Sequence, residues 1–286
     1  MTSFKDYLQE KNFSSAGKRI YLNATNRFED YLNARNIRAE KLIYSQLLDY
    51  VKYLTDLGYS KRSINMDLGA IRHLLDFWVE KEILPYNLAA DLVVRGVQRT
   101  IPSGLLTEKQ LDKVYLDYPA SSPARIRNKV TVGLMLFQAV RPKELALLKL
   151  DSVDLKNQTI FIPETSRSNS RTLLLHPLQI THLELYVKDI RYQLLNGQVT
   201  DQLLVTGKSN KIDFILNNVK FDSRNHTDLK SWQPVRASVI TRWLKEHHLR
   251  QVQYMAGHKY ISSTERYLQV DLEDIQAAID KHHPLA

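Results

Sequence analysis

The sequence predicts a mainly helical protein with two domains and one small β-hairpin. Its 286 residues exceed the usual size of one domain and suffice for two, each with its own hydrophobic core. Nine glycines and nine prolines are few for this length, and long stretches carry apolar residues at helical spacing. One pair of short apolar segments, separated by a polar connection, is typical of strands.

Residues 1–95 are predicted to form the first, helical domain. Ser14 or Ser15 can cap a helix whose aromatic residues follow at helical spacing on one face. Gly58 stands where a later helix is expected to end, and Ser60 or Ser63 can start the next one.

That next helix has the segment INMDLGAIRHLLDFWVEK and carries a buried stripe. Its apolar residues recur at intervals of four and three, which places them on one face: Ile64, Leu68, Ile71, Leu75 and Trp78. Trp78 is therefore predicted to lie in the core and not to stack on a nucleic-acid base.

Residues 96–104 are predicted to be a linker, because the text around them gains Pro and Gly and loses its periodicity. Helical spacing resumes after Leu106, where Thr107 and Gln110 have the spacing of a capping box. The second domain is therefore predicted to span residues 105–286.

The second domain is predicted to be mostly helical around the hairpin. The segment NKVTVGLMLFQAV indicates a buried helix that ends before Arg141, and Pro142 suits the first turn of the helix that follows. TIFIPE and RTLLLHP flank the connection ETSRSNS and predict the two strands. Four later segments are predicted to be helices, the last of them DLEDIQAAIDKHH.

Composition narrows the classes of function without choosing one. A formal charge of +9 suits a polyanionic partner, although many proteins without nucleic-acid partners share it. The chain has no cysteine, which excludes disulfides, thiolate zinc sites and a cysteine nucleophile. There is no run of 18 apolar residues, and the opening segment lacks the apolar core of a signal peptide. We expect a cytoplasmic protein that does not bind membranes.

Three separated segments carry a catalytic pattern. Arg141 is followed by Glu144 in AVRPKELALLKL, Arg236 lies in QPVRASVITRWL, and His258 comes 22 residues after Arg236. Tyr267 follows nine residues later. In residue type, order and spacing these segments resemble the signature of the tyrosine recombinases, the phage-type integrase family. The resemblance implies that the first domain is a DNA core-binding domain and that the second is catalytic.

The chemistry of phosphoryl transfer requires these residue types. Negative charge builds on the nonbridging oxygens of a phosphodiester under attack, and the planar guanidinium groups of Arg141 and Arg236 can meet it with paired hydrogen bonds. His258 can donate a further hydrogen bond or orient the nucleophile. A tyrosine such as Tyr267 must lose its phenolic proton to attack, and the attack leaves a covalent phosphotyrosine.

By resemblance, Tyr267 joins the 3′ phosphate of DNA and frees a 5′ hydroxyl that can reseal the partner strand. No metal, nucleotide or other cofactor is implied. The resemblance also implies double-stranded DNA with inverted-repeat half-sites as partner, a homotetramer on DNA, and a monomer or weak oligomer when free.

Two positions depart from the family pattern. Gln233 stands where a histidine is expected three residues before Arg236, and glutamine cannot accept a proton as a base. The hairpin connection contains no lysine where the family has a catalytic one. Arg167, or with less support Arg171, is the predicted replacement, since Lys156 and Lys208 lie farther from the hairpin turn.

Candidate DNA contacts outside the catalytic pattern are Lys61, Arg62 and Arg72 in the first domain and Arg171 at the hairpin. A solvated helix face explains the first three equally well. Two other functions stay open. One is a DNA-binding or regulatory relative that has lost catalysis, which Gln233 and the lysine-free hairpin favour; the other is a relaxing topoisomerase.

Overall fold

A computed structural model describes residues 3–97, 103–206 and 212–268. The chain divides into two compact units, Met1–Arg99 and Thr100–Ala286. The predicted linker, residues 96–104, includes residues 98–102, which lie outside the described part of the chain. The predicted linker and domain limits therefore stay predictions.

The described residues of the first unit form four α-helices. They are α1 (Phe4–Glu10), α2 (Ser15–Ala34), α3 (Tyr44–Asp56) and α4 (Lys61–Glu80). Ser14 caps α2 and Ser60 caps α4 through their side-chain oxygens, which accept hydrogen bonds from exposed backbone N–H groups of the first turn. The stripe predicted for α4 is buried, including Trp78 at 7% exposure. It packs mainly against α2.

The described helices of the second unit surround one central helix. They are α5 (Glu108–Asp117), α6 (Pro123–Phe137), α7 (Pro142–Leu145), α8 (Pro177–Leu185), α9 (Arg191–Leu195), α10 (Ile212–His226), α11 (Val235–Glu246), α12 (Leu249–Met255) and α13 (Ser262–Glu265). Helix α6 carries the apolar segment predicted to be buried, and it packs against α5, α8, α10 and α11. Eleven of its 15 residues are buried.

A three-stranded antiparallel sheet lies beside these helices. Its strands are β1 (Val153–Asp154), β2 (Thr159–Ile162) and β3 (Arg171–Leu174), in that spatial order. The predicted hairpin corresponds to β2 and β3, whose register pairs the buried Ile160 with the buried Leu173. Sequence reasoning missed β1 because two residues are too few to show a period of two.

The fold class is confirmed: the protein is mainly α with a small antiparallel sheet. The last predicted helix, DLEDIQAAIDKHH, lies outside the described residues. Within residues 3–97, 103–206 and 212–268, no helix is both long enough and apolar enough to cross a membrane.

Candidate active site

The junction between α6 and α7 positions Arg141. Ala139 has a positive φ of 51°, which turns the chain sharply after α6. Arg141 then caps α7, and its backbone N–H donates to Glu144 Oε2 at 2.8 Å. Its guanidinium Nη1 donates to the carbonyl oxygen of Arg167 at 3.1 Å. Arg141 thus lies against the turn of the hairpin, and burial lowers its pKa although Glu144 opposes the effect.

Arg171 forms a buried ion pair with Glu144. The two terminal nitrogens of Arg171 donate to the two carboxylate oxygens, each at 3.0 Å, and neither side chain has any exposed surface. Burial alone would raise the pKa of Glu144, but the bonds from Arg171 outweigh it and lower this pKa to about 2.

This pairing corrects two predictions for Arg171, as a DNA contact and as the substitute for the hairpin lysine. Its guanidinium is enclosed by protein and neutralised by a carboxylate, so it is not available to a phosphate or to a leaving group. The residue stands at the start of β3, facing inward. An arginine next to a polar connection is expected to be exposed. The ion pair could not be predicted because its partner, Glu144, lies far away in the sequence.

Arg236 projects from the first turn of α11 towards the α6–α7 junction. Its Nη1 donates to the carbonyl oxygen of Ala139, and its Nη2 donates to that of Ala256 at 2.7 Å. Burial, reinforced by the charge of Arg141, lowers the pKa of Arg236 to about 9. It remains a cation at neutral pH, and the oxygens that hold it carry no formal negative charge.

His258 follows a tight turn at Gly257, whose φ is +62°. A Cβ on Gly257 would lie 2.6 Å from Arg171 Nη1, so the turn needs glycine for its conformation and for its space. The Nδ1 atom of His258 is 2.8 Å from Thr264 Oγ1, and its Nε2 atom is 3.3 Å from Arg236 Nη2.

These contacts define the protonation state of His258. Arg236 can only donate, so Nε2 must accept, and the imidazole proton resides on Nδ1 and is donated to Thr264. Burial, followed by the positive charge of Arg236, lowers the pKa of His258 to about 3. The imidazole is therefore neutral at physiological pH.

Tyr267 lies next to His258 at the end of the described chain. Their rings are parallel within 9° with centroids 6.2 Å apart, and Tyr267 is only 4% exposed. The phenolic oxygen accepts a hydrogen bond of 2.8 Å from Arg266 Nη2. The three segments of the predicted pattern thus converge, since Arg236 contacts His258 and the ring of His258 stacks on that of Tyr267.

A cavity of about 310 Å³ opens beside the two arginines. Arg141, Arg236, Gln233 and Lys220 supply its polar lining. Gln233 is exposed just before α11, with its backbone N–H donating to Ser231 Oγ at 3.2 Å. Lys220 on α10 was not among the predicted residues, because nothing in its local sequence links it to the catalytic segments.

The hairpin connection forms a tight turn. Thr165 and Ser168 pair through their backbones, and Arg167 projects from the turn as an exposed residue. Its carbonyl oxygen, held by Arg141, keeps the turn beside the site while its guanidinium faces solvent. Arg167 therefore remains a candidate for the missing lysine.

The predicted DNA contacts of the first unit fall into two groups. Lys61 and Arg62 are exposed at the start of α4. Arg72 instead donates from Nε to the carbonyl oxygen of Ala89 at 3.2 Å and from Nη2 to that of Leu92 at 3.3 Å. These bonds fasten the segment after α4 and give Arg72 a structural role, while its predicted DNA contact stays a prediction.

The site carries an excess of positive charge suited to an anion. Glu144 offsets Arg171, whereas Arg141, Arg236 and Arg266 keep their charges around His258. Within the described residues, no group of three His, Cys, Asp or Glu side chains could hold a metal ion. Sequence reasoning also missed Arg266, although a cation directly before the predicted nucleophile was a visible signal.

Two family models match the chain. The model described as the phage integrase family matches residues 105–274, and the one described as phage integrase, N-terminal SAM-like domain, matches residues 1–82.

Curated relatives match nearly the whole chain. A tyrosine recombinase XerC of Oceanobacillus iheyensis is 25% identical and covers 99% of this chain and 95% of its own. A tyrosine recombinase XerD of Vibrio vulnificus is also 25% identical and covers 93% of this chain and 88% of its own.

Solved structures show the same fold. The XerH site-specific recombinase bound to a palindromic difH substrate, in a post-cleavage complex, matches with a TM-score of 0.67 and 18% identity over 94% of this chain and 80% of its own. A lambda integrase dimer bound to a COC′ core site matches with a TM-score of 0.60 and 13% identity over 92% of both chains.

Proposed function

The chain belongs to the phage integrase family, and from this premise we propose that it is a site-specific DNA recombinase with Tyr267 as nucleophile. One observation carries the proposal: Arg141, Arg236, His258 and Tyr267 come from separate segments and meet at one electropositive site. Such a cluster suits a phosphodiester, whose charge grows during attack.

The proposed cleavage step exchanges one phosphoester for another. The phenolic oxygen of Tyr267 bonds to phosphorus, the bond from phosphorus to the 5′ oxygen breaks, and the 5′ oxygen leaves with a proton. Arg141 and Arg236 meet the nonbridging oxygens. Their side chains are held by carbonyl oxygens that leave the cationic charge free to act on the phosphate.

Rejoining is the same step in reverse on a different strand. A free 5′ hydroxyl attacks the phosphotyrosine and releases Tyr267, so the energy of the phosphoester is conserved. Because Tyr267 is only 4% exposed, we expect its segment to shift when DNA binds, so that the phenolic oxygen reaches the phosphate.

The proposed partner is double-stranded DNA with inverted-repeat half-sites, bound by four copies of the chain during strand exchange. The likeness to XerH on a palindromic difH substrate and to a lambda integrase dimer on a core site supports a DNA partner. Exposed Lys61 and Arg62 are the proposed contacts of the first unit.

A second candidate function is a DNA-binding relative without catalysis. Two features of the sequence favour it: Gln233 stands in place of a histidine, and the hairpin connection contains arginine but no lysine. Such a protein would bind half-sites normally but would form no covalent intermediate.

A nicked suicide substrate tests the proposal, because loss of a short 5′ fragment traps any covalent complex. The unaltered chain is expected to give a denaturation-resistant adduct, and Tyr267→Phe is expected to abolish it, since the change removes only the attacking oxygen. Tyr260→Phe is the matched control, because Tyr260 is 74% exposed in the same segment. Binding should be unchanged in both variants by gel shift.

The outcomes separate the candidates clearly. An adduct that persists in Tyr267→Phe would assign the nucleophile elsewhere. Normal binding of specific DNA with no adduct from the unaltered chain would favour the non-catalytic relative.

A further inference from the structure

Arg266 makes two contacts with the side chain of Tyr267. Its Nη2 donates to the phenolic oxygen at 2.8 Å, and its guanidinium carbon lies 4.8 Å from the centroid of the ring. The residue immediately before the proposed nucleophile thus delivers a positive charge to the oxygen that would react.

We propose that Arg266 is a further catalytic residue, which stabilises the negative charge that the oxygen of Tyr267 acquires as it attacks phosphorus. The inference rests on the proposed function of Tyr267. A hydrogen bond from a cation is stronger to an oxyanion than to a neutral phenol, so this contact favours the attacking form over the resting form.

Neither His258 nor Gln233 is available to activate the oxygen of Tyr267. His258 uses Nδ1 on Thr264 and Nε2 on Arg236, and imidazole nitrogens form hydrogen bonds in the plane of the ring. Both nitrogens therefore have partners other than the phenolic oxygen of Tyr267, whose ring lies parallel to the imidazole within 9°. Gln233 cannot accept a proton, so charge stabilisation by Arg266 provides a route to the nucleophile that needs no side-chain base.

The guanidinium of Arg266 also retains a donor for a ligand. Its Nε is buried and has no hydrogen-bond partner among the described residues. The Nε and Nη2 donors lie on one edge of a guanidinium and point in parallel directions. With Nη2 on the phenolic oxygen, the enclosed Nε can meet a nonbridging oxygen of the phosphate only after the segment of Tyr267 shifts, as expected when DNA binds.

The balance of the step is simple. The bond from the Tyr267 oxygen to phosphorus forms as the bond to the 5′ oxygen breaks; the phenolic proton passes to water, and the departing 5′ oxygen takes one proton from water to become the 5′ hydroxyl. Arg266 remains protonated throughout, since a guanidinium does not act as a base at these pH values.

The pH dependence of single-turnover adduct formation tests this role, measured from about pH 6 to about pH 10 with saturating suicide substrate. Arg266→Ala is expected to slow adduct formation about ten- to a hundredfold at neutral pH, the loss typical of a hydrogen bond to a charged group. The deficit should shrink as pH rises, because hydroxide then generates the attacking oxyanion. Arg266→Lys should lose less, since it keeps the charge.

Arg250→Ala is the matched control. Arg250 lies on α12, is exposed and donates to Gln253 Oε1, so its removal changes the net charge equally without touching Tyr267. It should behave as the unaltered chain at every pH. If Arg266→Ala fails to fold by thermal melting, Arg266→Gln removes the charge with a side chain that keeps a donor, and the same pH-dependent deficit is expected.

A substrate with sulfur in the bridging 5′ position adds a second readout. Sulfur leaves without protonation, so it restores a variant that lacks the leaving-group acid but should not restore Arg266→Ala. Restoration by sulfur, an unchanged rate, or a deficit that is constant over pH and accompanied by weaker binding would each overturn the inference. Absence of any Tyr267-dependent adduct would instead overturn the proposed function itself, and this inference with it.

Discussion

At the scale of single residues, the partners of each arginine decide what it can do. The charge of Arg171 is neutralised by Glu144 through two hydrogen bonds of 3.0 Å, so it is balanced within the protein. Arg141 and Arg236 are held by carbonyl oxygens, which fix their positions without cancelling their charge. Two of these arginines are thus available to a phosphate while the third fixes β3 against α7.

Two titrating groups of the site predict that acid destabilises the fold. The pKa of His258 is lowered from 6.5 to about 3, so between these values the unfolded chain binds a proton that the folded chain does not. Folding stability is therefore complete above about pH 6.5 and declines as pH falls. Glu144, with a pKa lowered from 4.5 to about 2, adds a second loss between those values. Each group changes stability by at most about 1.4 kcal/mol per pH unit.

Urea unfolding at several pH values measures this effect. His258→Asn keeps an amide donor for Thr264 but does not titrate, so its stability should fall less steeply than that of the unaltered chain between pH 6.5 and pH 4.5. Equal slopes in both proteins would show that His258 is not buried in its neutral form.

At the scale of elements, the sequence predicts those features of helices and strands that depend only on residues close together in the chain. The caps Ser14 and Ser60, the stripe of α4 and the hairpin strands all follow from short-range patterns. The π-helical turn Tyr186–Ile190, which interrupts the predicted long helix, could not be predicted in this way because its residues have no distinct periodicity. The buried pair of Arg171 with Glu144 joins residues far apart in sequence and needed the fold to be seen.

The hairpin turn predicts a role for Arg167 in releasing the 5′ oxygen. The turn is fastened to Arg141 through the Arg167 carbonyl, whereas the guanidinium is exposed and free to approach DNA. Arg167→Ala should therefore reduce cleavage about a hundredfold, a typical contribution of proton transfer to a leaving group, with little change in binding. A guanidinium would act by stabilising charge or relaying a proton through water.

A bridging 5′ sulfur substrate measures this role, because it scarcely needs a proton to leave. It should restore cleavage to Arg167→Ala. Ser166→Ala, a change at the neighbouring exposed position of the same turn, is the control and should cleave both substrates normally. A variant that stays slow with sulfur but folds normally would make Arg167 a DNA-positioning residue.

At the scale of the whole molecule, the sequence predicts the function better than the details of its site. The four residues proposed to be catalytic have a recognisable order and spacing, and the two compact units correspond to the models for an N-terminal SAM-like domain and the integrase family. Lys220 could not be predicted because no local pattern links it to the catalytic segments, whereas the position of Arg266 directly before Tyr267 was a signal that sequence reasoning did not use. The formal charge of +9 suits a polyanionic partner but does not locate the surface that would bind it.

Salt dependence of DNA binding tests where that charge acts. Each phosphate neutralised by a cationic side chain releases counterions, so the logarithm of the binding constant should fall steeply with the logarithm of salt concentration. Arg62 is exposed at the start of α4, and Arg62→Ala should weaken binding to all sequences and make the slope shallower by about one. Lys113→Met removes one charge as well, but Lys113 already pairs with Asp228, so its slope should stay that of the unaltered chain. Filter binding at several salt concentrations gives this slope for the unaltered chain and both variants. Equal slopes for the two variants would show that Arg62 does not contact DNA.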